Sequence, residues 1–272
     1  MAERATGENF PVAMRALPAR YRQHLMAVYG FARTIDDIGD RAPADQRQHL
    51  MDELQTDLGR LYTSGATAPQ SSVIRALAPA VVQCPIPQQP FLDLIEANRQ
   101  DQVVSRYQTF RELKGYCVLS ANPVGRIVLY VFGQFTPERA ALSDRICTAL
   151  QLAEHWQDVG EDYRAGRIYL PGNDLDTYGC REAELGAPRA SAALRSLMAF
   201  ETQRARALLD SGAPLIGTLR GFARVAVAGY LAGGRAALAA IGQADHDVLR
   251  ATPRPGKART AAEMLRAYAT GR

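Results

Sequence analysis

Residues 29–40, YGFARTIDDIGD, place three aspartates in a stretch whose other positions are mostly apolar. Asp36 and Asp40 lie four residues apart, which on an α-helix is about one turn and about 6 Å along the axis. A carboxylate buried without a partner is costly, so such a pair requires a cation, a dense set of donors or a water-filled cavity. Two carboxylates at this spacing suit hard divalent cations such as Mg²⁺, which take oxygen ligands.

Most other positions of this predicted helix are apolar, namely Leu25, Val28, Phe31, Ala32, Ile35 and Ile38. A helix that is apolar nearly all round is a buried helix. We therefore expect its polar stripe, which includes Tyr29 and Arg33 as well as the aspartates, to face an internal cavity rather than bulk water. The segment alone is equally compatible with a helix that ends at Gly39 and leaves its acids solvated.

A second acidic cluster lies in residues 151–171, QLAEHWQDVGEDYRAGRIYLP. The stripe i, i+3, i+7, i+11 of a helix is formed here by Gln151, Glu154, Asp158 and Asp162, with Glu161 beside it. Two such stripes facing each other across a cavity would hold several Mg²⁺ ions and a diphosphate between them. The sequence therefore predicts a site for a substrate that carries a diphosphate.

Apolar residues recur mostly at helical spacing and strand-like alternation is rare, so the sequence predicts an all-α fold. We expect helices over residues 18–39, 44–62, 72–83, 88–107, 109–134, 137–164, 188–211, 214–242 and 258–270. Pro123 would interrupt the helix over residues 109–134 or only kink it. No repeat or linker divides the chain, so we expect residues 1–272 to form a single domain with a basic C-terminal tail, 250–272. Residues 164–188 lack clear periodicity and are a candidate lid.

The bulk composition of the 272 residues is that of a globular protein, with 47% hydrophobic residues and a formal net charge of +4. The mild charge and the lack of a basic face interleaved with aromatics argue against nucleic-acid binding. The four cysteines form no CxxC pair, which indicates reduced thiols, and we find no signal peptide and no run of roughly 18 to 20 apolar residues. We therefore expect a cytoplasmic protein whose basic tail suits peripheral contact with the inner face of the membrane.

The two acidic clusters and their surroundings resemble those of the squalene/phytoene synthases, the head-to-head prenyl synthases, over nearly the whole chain. FARTIDDIGD is similar to the first aspartate-rich motif of that family, and residues 158–162, DVGED, are similar to the second. Further similarities lie at Tyr29, Arg33, Tyr116, Gly125, Arg167, Tyr169 and Tyr230. The resemblance implies a helical bundle of the isoprenoid synthase type around a central apolar cavity.

The resemblance also implies a role for each matching residue. The Mg²⁺ ligands would be Asp36, Asp40, Glu154, Asp158 and Asp162. The catalytic residues, which act on the diphosphate, the carbocation or the added water, would be Tyr29, Arg33, Asp37, Tyr116, Gln151, Arg167, Tyr169 and Tyr230. The substrate would also contact Asn9, Phe10, Asn122 and Gly125, and either Asn122 or Gln151 would hold the water.

Within the family, GENFPV, DDIGD, ANPVGR and HWQDV are most similar to the hydroxysqualene synthases of the hopanoid branch. That similarity implies conversion of presqualene diphosphate to hydroxysqualene with Mg²⁺ and without NADPH, and hand-off to neighbouring pathway enzymes. One alternative is a presqualene diphosphate, squalene or phytoene synthase that condenses two prenyl diphosphates. Another is a non-catalytic helical protein that docks on membranes.

Three positions depart from the family's pattern. Glu154 stands where asparagine is usual, Gln157 where arginine is usual, and Glu8 where a basic residue is usual. The extra carboxylate of Glu154 bears on how many metal ions the site holds. No ligand spacing connects His24, His49, His155 and His246, and we assign them no role. We expect residues 231–240, LAGGRAALAA, to serve close helix packing, since no strand precedes them as a phosphate loop requires.

Overall fold

The computed structural model describes residues 17–271, apart from the side chains of residues 257–259. Within these residues every regular element is helical, and an isolated bridge joins Arg106 to Ile168. The all-α prediction is therefore confirmed. Asn9 and Phe10, which we predicted to contact the substrate, lie outside the described residues.

The first half of the described chain forms the helices α1 Ala19–Arg41, α2 Arg47–Gly59, α3 Ser72–Gln83, α4 Gln89–Gln100, α5 Phe110–Ser120 and α6 Asn122–Val131. The second half forms α7 Pro137–Gln157, α8 Val159–Arg164, α9 Gly172–Tyr178, a 3-10 helix at Glu182–Gly186, α10 Ala192–Gly212, α11 Leu215–Thr218, α12 Gly221–Gln243 and α13 Lys257–Thr270. The long helix α7 packs against α6, α10 and α12, and α12 packs in turn against α13. Since α7 ends at the second acidic cluster, this packing fixes the position of that cluster.

Side-chain caps set where three of these helices begin. At α5 the Thr109 hydroxyl accepts a hydrogen bond from the Glu112 backbone N–H, and the Glu112 carboxylate accepts one from the Thr109 backbone N–H. This reciprocal capping box satisfies two backbone donors that the first turn leaves without partners. Thr136 at α7 and Ser191 at α10 each accept from the backbone N–H three residues on. The start of the central helix α7 is therefore specified locally by the sequence.

The helix expected over residues 109–134 is divided at Ala121, whose φ of −114° departs from helical geometry. Pro123 explains the break, because proline has no N–H with which to continue the hydrogen-bond ladder. The predicted interruption by Pro123 is therefore confirmed.

Two other predicted helices are also divided. The helix expected over residues 137–164 ends at Gln157, because Asp158 adopts φ −106° and ψ 14° between α7 and α8. The helix expected over residues 214–242 is divided before Gly221, whose φ of +55° lies in the left-handed region.

The helix α12 is long and apolar enough to cross a membrane by length and composition, with a mean hydropathy of 1.4 over 18 residues. However, 67% of that window is buried inside the protein, as in the core helix of a globular fold. A Cβ added to Gly234 would lie 2.7 Å from Leu150 Cδ2 and 3.0 Å from Leu209 Cδ2. Glycine here lets α7 and α10 approach α12 closely, so the prediction of helix packing at residues 231–240 is confirmed.

The segment between α8 and α10, predicted as a lid, contains α9 and the 3-10 helix. Its first part runs beside residues 105–108, where the Ile168 N–H donates to the Ser105 carbonyl at 2.9 Å. The Gly172 N–H donates to the Tyr107 carbonyl, also at 2.9 Å. These backbone hydrogen bonds hold the segment against the chain that follows α4.

A buried group of charges ties α9 to α10. Arg204 on α10 donates to Asp174 on α9 at 2.8 Å and to Glu201 at 3.0 Å. Its guanidinium lies 4.4 Å from the ring centroid of Phe110 and 4.3 Å from that of Phe200. Burial raises the pKa of the Glu201 carboxyl to about 8, although the charge of Arg204 opposes the shift. Glu201 is therefore protonated at neutral pH.

A pH dependence of stability follows from Glu201. A carboxyl whose pKa is raised on folding, here from 4.5 to about 8, stabilises the fold below the unfolded pKa, and this stability is lost as the pH rises through the folded value. We expect the Tm of the native protein to fall between about pH 5 and about pH 9 relative to that of Glu201→Gln, by roughly 2–4 °C for each kcal/mol lost. Circular dichroism melts of both proteins, with the exposed Glu96→Gln as control, measure the difference. Parallel Tm profiles for native protein and Glu201→Gln would contradict the assignment.

Candidate active site

The first ridge of the site, defined as Asp36 and Asp40, lies at an open edge of the bundle. The Asp40 side chain is 61% exposed, and Asp36 is also exposed. The expectation that this stripe faces an enclosed cavity is therefore wrong for both carboxylates, because they lie in the last two turns of α1, which ends at Arg41. The apolar faces of the same helix are buried as predicted, at Leu25, Val28, Phe31 and Ile35.

Asp37, on the neighbouring stripe of α1, is paired with two arginines. Its Oδ1 lies 3.1 Å from Arg33 Nη2 and 3.1 Å from Arg41 Nη1. Pairs of this kind on a solvated helix contribute about 0.3–0.5 kcal/mol each. Their consequence for the site is that Asp36 and Asp40, rather than Asp37, are the carboxylates of this helix best placed to meet a cation.

The electrostatics of the first ridge favour a positive charge. Although part of the Asp36 side chain reaches solvent, the protein atoms around it displace water and raise its pKa to about 6. The Asn98 amide opposes the shift through a hydrogen bond of 3.3 Å, and the charge of Asp40 adds to it. The C-terminal end of α1 contributes the negative end of the helix dipole to the same place. A cation beside Asp36 would replace the lost water and offset the repulsion from Asp40.

The second ridge, defined as Asp158 and Asp162, stands where α7 meets α8. Asp158 connects the two helices, and the Asp162 N–H donates to the Asp158 carbonyl at 2.8 Å. This i, i+4 hydrogen bond keeps the helical progression across the break, so both carboxylates remain on one side. Burial raises the pKa of Asp158, and the neighbouring charges of Glu161 and Asp162 raise it further. The two ridges therefore share the same electrostatic condition.

Three polar residues beside the second ridge, Glu154, Glu161 and Gln157, differ from Asp158 and Asp162 in their exposure or their hydrogen-bond partners. Glu154, predicted as a metal ligand, is exposed to solvent. Glu161 accepts a hydrogen bond from the Thr252 hydroxyl at 3.0 Å. Gln157, at the position where the resemblance leads us to expect arginine, is buried and donates to the Pro253 carbonyl. That side chain ties α7 to the segment before α13, and the role of Glu154 at a metal stays a prediction.

Arg167 brings the two ridges together. Its Nη2 lies 3.6 Å from Asp40 Oδ1, and its backbone N–H donates to the Asp162 carbonyl at 2.9 Å. Arg167 therefore spans the distance from the first ridge to the second, and the ridges border a common space.

Asp101, just after α4, is a third acidic element that the sequence analysis missed. The Tyr116 hydroxyl donates to Asp101 Oδ2 at 2.8 Å, while Oδ1 is buried without a hydrogen-bond partner among residues 17–271. Burial raises the pKa of Asp101, and the positive charge of nearby Arg167 opposes the shift. In the sequence this aspartate lies in a polar stretch, NRQDQ, which looks like a solvated helix end.

Tyr116 and Tyr169, both predicted as catalytic residues, are brought together with ring centroids 5.9 Å apart. Tyr107, which we did not predict, lies 5.6 Å from Tyr116 and 5.9 Å from Tyr169. Burial raises the pKa of all three phenols, so they remain protonated and present neutral rings. We call these three residues the tyrosine group; their rings carry the negative quadrupole faces that attract cations.

His155, to which we assigned no role, lies between the tyrosine group and the second ridge. Its ring stacks on Tyr169 with centroids 3.6 Å apart, and its Nδ1 lies 3.8 Å from Asp162 Oδ2. The Gln151 side-chain nitrogen lies 3.1 Å from Nε2, and it donates to Nε2 in the tautomer that carries the ring proton on Nδ1. The signal was present in the sequence, since Gln151, His155, Asp158 and Asp162 follow i, i+4, i+7, i+11 on one stripe.

Tyr29 and Tyr230 lie on other helices than the tyrosine group. Tyr29 is partly buried on α1, about two turns before Asp36. Tyr230 lies on α12, and burial raises the pKa of its phenol. The Cys147 thiol is close enough to raise that pKa further. Cys147 precedes His155 by about 12 Å along α7, so Tyr230 lies deeper in the bundle than the carboxylate ridges.

Asn122 and Gly125 lie on α6, where it packs against α7. The Asn122 side-chain oxygen accepts a hydrogen bond from the Thr148 hydroxyl at 2.9 Å. A Cβ added to Gly125 would lie 2.3 Å from Ser143 Oγ and 2.4 Å from Cys147 Sγ. Both predicted residues therefore serve the contact between these helices, and their contact with substrate stays a prediction.

A small cavity lies against the stacked pair of His155 and Tyr169. Its volume is about 10 Å³, close to the size that holds one water molecule. Its lining residues are His155, Val159, Asp162, Ile168, Tyr169, Leu170 and Leu185. The large central apolar cavity implied by the resemblance stays a prediction.

No group of three His, Cys, Asp or Glu side chains among the described residues is arranged around one point, as a metal centre built from protein alone would be. The ridges instead offer carboxylates in pairs, Asp36 with Asp40 and Asp158 with Asp162.

Comparison with known proteins identifies the family. The squalene/phytoene synthase family model matches residues 3–260. The hydroxysqualene synthase of Rhodopseudomonas palustris is 37% identical over 219 residues, covering 79% of this chain and 72% of that protein. The squalene synthase HpnC from Alicyclobacillus acidocaldarius has a similar fold with a TM-score of 0.82 and 41% identity, covering 89% of this chain and 91% of that one. The structure of a dehydrosqualene synthase in complex with a ligand has a TM-score of 0.86 and 25% identity, covering 98% and 93%.

These matches extend over most of the chain, agree in fold and include the segments that carry both ridges. They confirm the resemblance and the isoprenoid-synthase type of fold. The chain therefore belongs to the squalene/phytoene synthase family of enzymes.

Proposed function

We propose that this enzyme converts presqualene diphosphate to hydroxysqualene in squalene and hopanoid biosynthesis. The C–O bond to the diphosphate breaks, the carbocation rearranges, and a water molecule adds with loss of a proton. The observation that carries the proposal is the meeting of two carboxylate ridges at Arg167, directly beside the tyrosine group. The relative named hydroxysqualene synthase supports this choice of substrate and product. A squalene synthase is the second candidate, because the similar structure from Alicyclobacillus acidocaldarius carries that name.

The residues of the two ridges fit Mg²⁺. All the donors are carboxylate oxygens, and burial together with the charges of neighbouring carboxylates raises the pKa of Asp36 and of Asp158, a shift that a bound cation would oppose. Mg²⁺ is usually bound through one or two carboxylates together with substrate phosphates, so paired carboxylates suffice without a group of three. Asp36 and Asp40 would hold it from one side, and Asp158 and Asp162 from the other. Bound there, Mg²⁺ stabilises the charge that develops on the departing diphosphate.

Arg167 is placed to bind the diphosphate directly. Its guanidinium reaches only 3.6 Å from Asp40, which is long for an ion pair, and it is 28% exposed. Phosphate oxygens fit the planar fork of guanidinium donors and would be bound through two parallel hydrogen bonds. Arg33, paired with Asp37 on α1, adds a second positive charge on the side of the first ridge.

Asp101 orients the phenol of Tyr116. Because the Tyr116 hydroxyl donates its proton to Asp101, the lone pairs of the phenol oxygen are directed away from that carboxylate. The oxygen lone pairs and the ring face are then available to a carbocation, at about 0.5–2 kcal/mol for each ring contact. Tyr29 and Tyr230 would make the same kind of contact farther along the substrate.

His155 and Asp162 are placed to hold the water that is added. Their 3.8 Å separation is too long for a direct hydrogen bond, and both line the cavity of about 10 Å³ beside Tyr169. A water there would accept from the His155 Nδ1–H and donate to Asp162, and it would lose a proton when the C–O bond forms. Gln151 fixes the tautomer through its contact with Nε2. The alternative holder, Asn122, already accepts from Thr148, so the geometry favours the side of Gln151.

The surroundings of such an enzyme follow from the chemistry. Presqualene diphosphate has one charged group on a long hydrocarbon, and hydroxysqualene is almost wholly apolar, so both partition into lipid. We propose a cytoplasmic enzyme in peripheral contact with the inner face of the membrane, which receives its substrate from a neighbouring enzyme of the pathway and hands its product on. NADPH has no part in this reaction, since water rather than hydride completes it.

Removing one carboxylate from either ridge should stop catalysis. We expect Asp36→Asn and Asp158→Asn each to lower kcat/KM for presqualene diphosphate by about 10³-fold or more, since stabilisation through a metal is worth several kcal/mol. Asp176→Asn, an exposed acid on α9, is the matched control. Diphosphate release and product identification with Mg²⁺ and without NADPH measure the effect. Full activity in either ridge variant would remove the ridges from the mechanism, and squalene made only with NADPH would assign the second candidate.

Metal and diphosphate should stabilise the protein together. A ligand that binds only the folded state raises stability by RT ln(1 + [L]/Kd), about 2.7 kcal/mol at a hundredfold excess over Kd. We expect Mg²⁺ with inorganic diphosphate to raise the Tm of the native protein by several degrees and EDTA to reverse the shift. Asp36→Asn and Asp158→Asn should show little of this shift, and Asp176→Asn the full shift. An equal shift in all four proteins would place diphosphate elsewhere.

Replacing His155 should uncouple water addition from ionisation. Phe in place of His keeps a ring to stack on Tyr169 but removes the Nδ1–H. We expect His155→Phe to lower hydroxysqualene formation by about 10²-fold, the lower range for a positioned proton-transfer group, while diphosphate release falls much less. The ratio of hydroxysqualene to diphosphate released is the measurement, with rearranged hydrocarbons or other alcohols making up the difference. An unchanged ratio would show that another group holds the water.

A further inference from the structure

One end of the bundle carries a surface that the proposed reaction does not use. We define this arginine–aromatic surface as residues 18–23, 134–139, 217–225 and 264–271. It contains the N-terminal ends of α1, α7 and α12 and the C-terminal end of α13. It lies far from the carboxylate ridges, since Arg20 and Asp36 are separated by about 24 Å along α1.

Direct contacts join the four segments. The Tyr21 ring centroid lies 6.2 Å from that of Phe222, which joins α1 to α12. The Gln134 amide exchanges two hydrogen bonds of 3.0 Å with the backbone of Arg220, which joins the start of α7 to α12. Arg224 on α12 donates to the backbone carbonyl of residue 268 on α13 at 2.7 Å. The segments therefore form one continuous surface.

Apolar side chains project from this surface. Among the exposed large hydrophobic residues that the structure describes, the two aromatic ones are Phe222 and Tyr268, and both lie here, 44% and 46% exposed. Leu265, about one turn before Tyr268 on α13, is 73% exposed. The Arg224 guanidinium lies 4.9 Å from the ring centroid of Tyr268. Aromatic and aliphatic side chains next to arginine are typical of protein surfaces that lie in the headgroup region of a bilayer.

The surface also concentrates positive charge. Its segments hold six arginines, Arg20, Arg22, Arg139, Arg220, Arg224 and Arg266, and a single acidic residue, Glu138. Their net charge is therefore +5, whereas the whole chain carries +4, so the rest of the protein sums to −1. The positive ends of three helix dipoles add to this charge at the same end of the molecule.

We propose that the arginine–aromatic surface docks on the anionic face of a lipid bilayer. The exposed arginines Arg20, Arg22, Arg220 and Arg266 would lie at the lipid phosphates. Phe222, Leu265 and Tyr268 would enter the headgroup layer. The charge of one sign and the protruding apolar side chains complement an anionic lipid surface. The proposal stands on the residues of this surface and does not depend on the proposed reaction, which adds only a reason for an enzyme of lipids to sit there.

Co-sedimentation with vesicles tests the proposal directly. We expect the full chain to bind vesicles of phosphatidylcholine with phosphatidylglycerol, to bind pure phosphatidylcholine far less, and to lose binding at high salt. Arg220→Gln should weaken binding to the anionic vesicles about fivefold, the effect of one basic residue near such a surface. Phe222→Ser should weaken it by a similar factor through loss of an inserted side chain. Exposed controls elsewhere are Arg111→Gln and Val103→Ser, which should bind like the native protein.

A gain of signal gives an independent test that does not rely on lost binding. The chain has a single tryptophan, Trp156, which is fully buried. The additional indole of Phe222→Trp should therefore report its own surroundings, and its emission should shift to the blue when anionic vesicles are added. Val103→Trp, on a distant exposed site, should show no shift.

Each variant is checked by its Tm and by turnover of presqualene diphosphate dispersed in detergent, which docking should not affect. The proposal is overturned if neutral and anionic vesicles bind equally, if the double variant Arg220→Gln/Phe222→Ser binds as the native protein does, or if the added indole shows no shift. Full turnover in Asp36→Asn with vesicle binding intact would contradict the proposed reaction alone, whereas turnover lost in Asp36→Asn while the native protein binds no vesicles would contradict this surface alone. A protein partner in place of the membrane would appear as absence of binding to any vesicle.

Discussion

Repulsion within two pairs of carboxylates is the constraint around which the rest of this molecule is arranged. Asp36 on one helix and Asp158 at the junction of two others are partly dehydrated, and each lies beside like charges, which include Asp40 for Asp36 and Asp162 for Asp158. Such groups separate unless packing elsewhere holds them. That rigidity comes from α7, which is packed against α6, α10 and α12 at contacts too close for a side chain on Gly125 or Gly234. The bundle thus holds paired carboxylates at one end, where they favour the binding of cations. A metal ion bound there together with a diphosphate would offset the repulsion between the carboxylates.

The sequence carried most of this arrangement in its periodicity. Residues four apart on an apolar helix share a face, so the pairing of Asp36 with Asp40 and of Asp158 with Asp162 could be predicted, as could the break at Pro123 and the packing role of residues 231–240. Periodicity states which residues share a face but not what covers it. For that reason our prediction that the polar stripe of α1 faces an enclosed cavity is wrong. The carboxylates of this stripe lie at an open edge. The left-handed φ of Gly221 likewise has no periodic signal in the sequence.

The residues that the sequence analysis missed are those whose importance depends on long-range contacts. Asp101 looks like a solvated residue at a helix end until Tyr116, 15 positions later, donates a hydrogen bond to it. His155 is different, because its place on the stripe of Gln151, Asp158 and Asp162 was visible. His155 has no metal-ligand spacing to the other histidines, and its contacts are a ring and a carboxylate rather than a metal. The resemblance to the family implies roles only for residues that match its motifs. Asp101 and His155 are not among the residues to which we assigned a role on that basis.

Charge is separated along a helix that crosses the bundle. The helix α1 carries Arg20 and Arg22 in its first turn and Asp36 and Asp40 in its last two turns, where Arg41 offsets part of the negative charge. The dipole of α1 acts in the same direction as these side chains, positive at the N-terminal end and negative at the C-terminal end. A prenyl diphosphate bound by metal at the acidic end would extend its hydrocarbon toward Tyr230 and the opposite, basic end, because no other part of the substrate is attracted to the ridges.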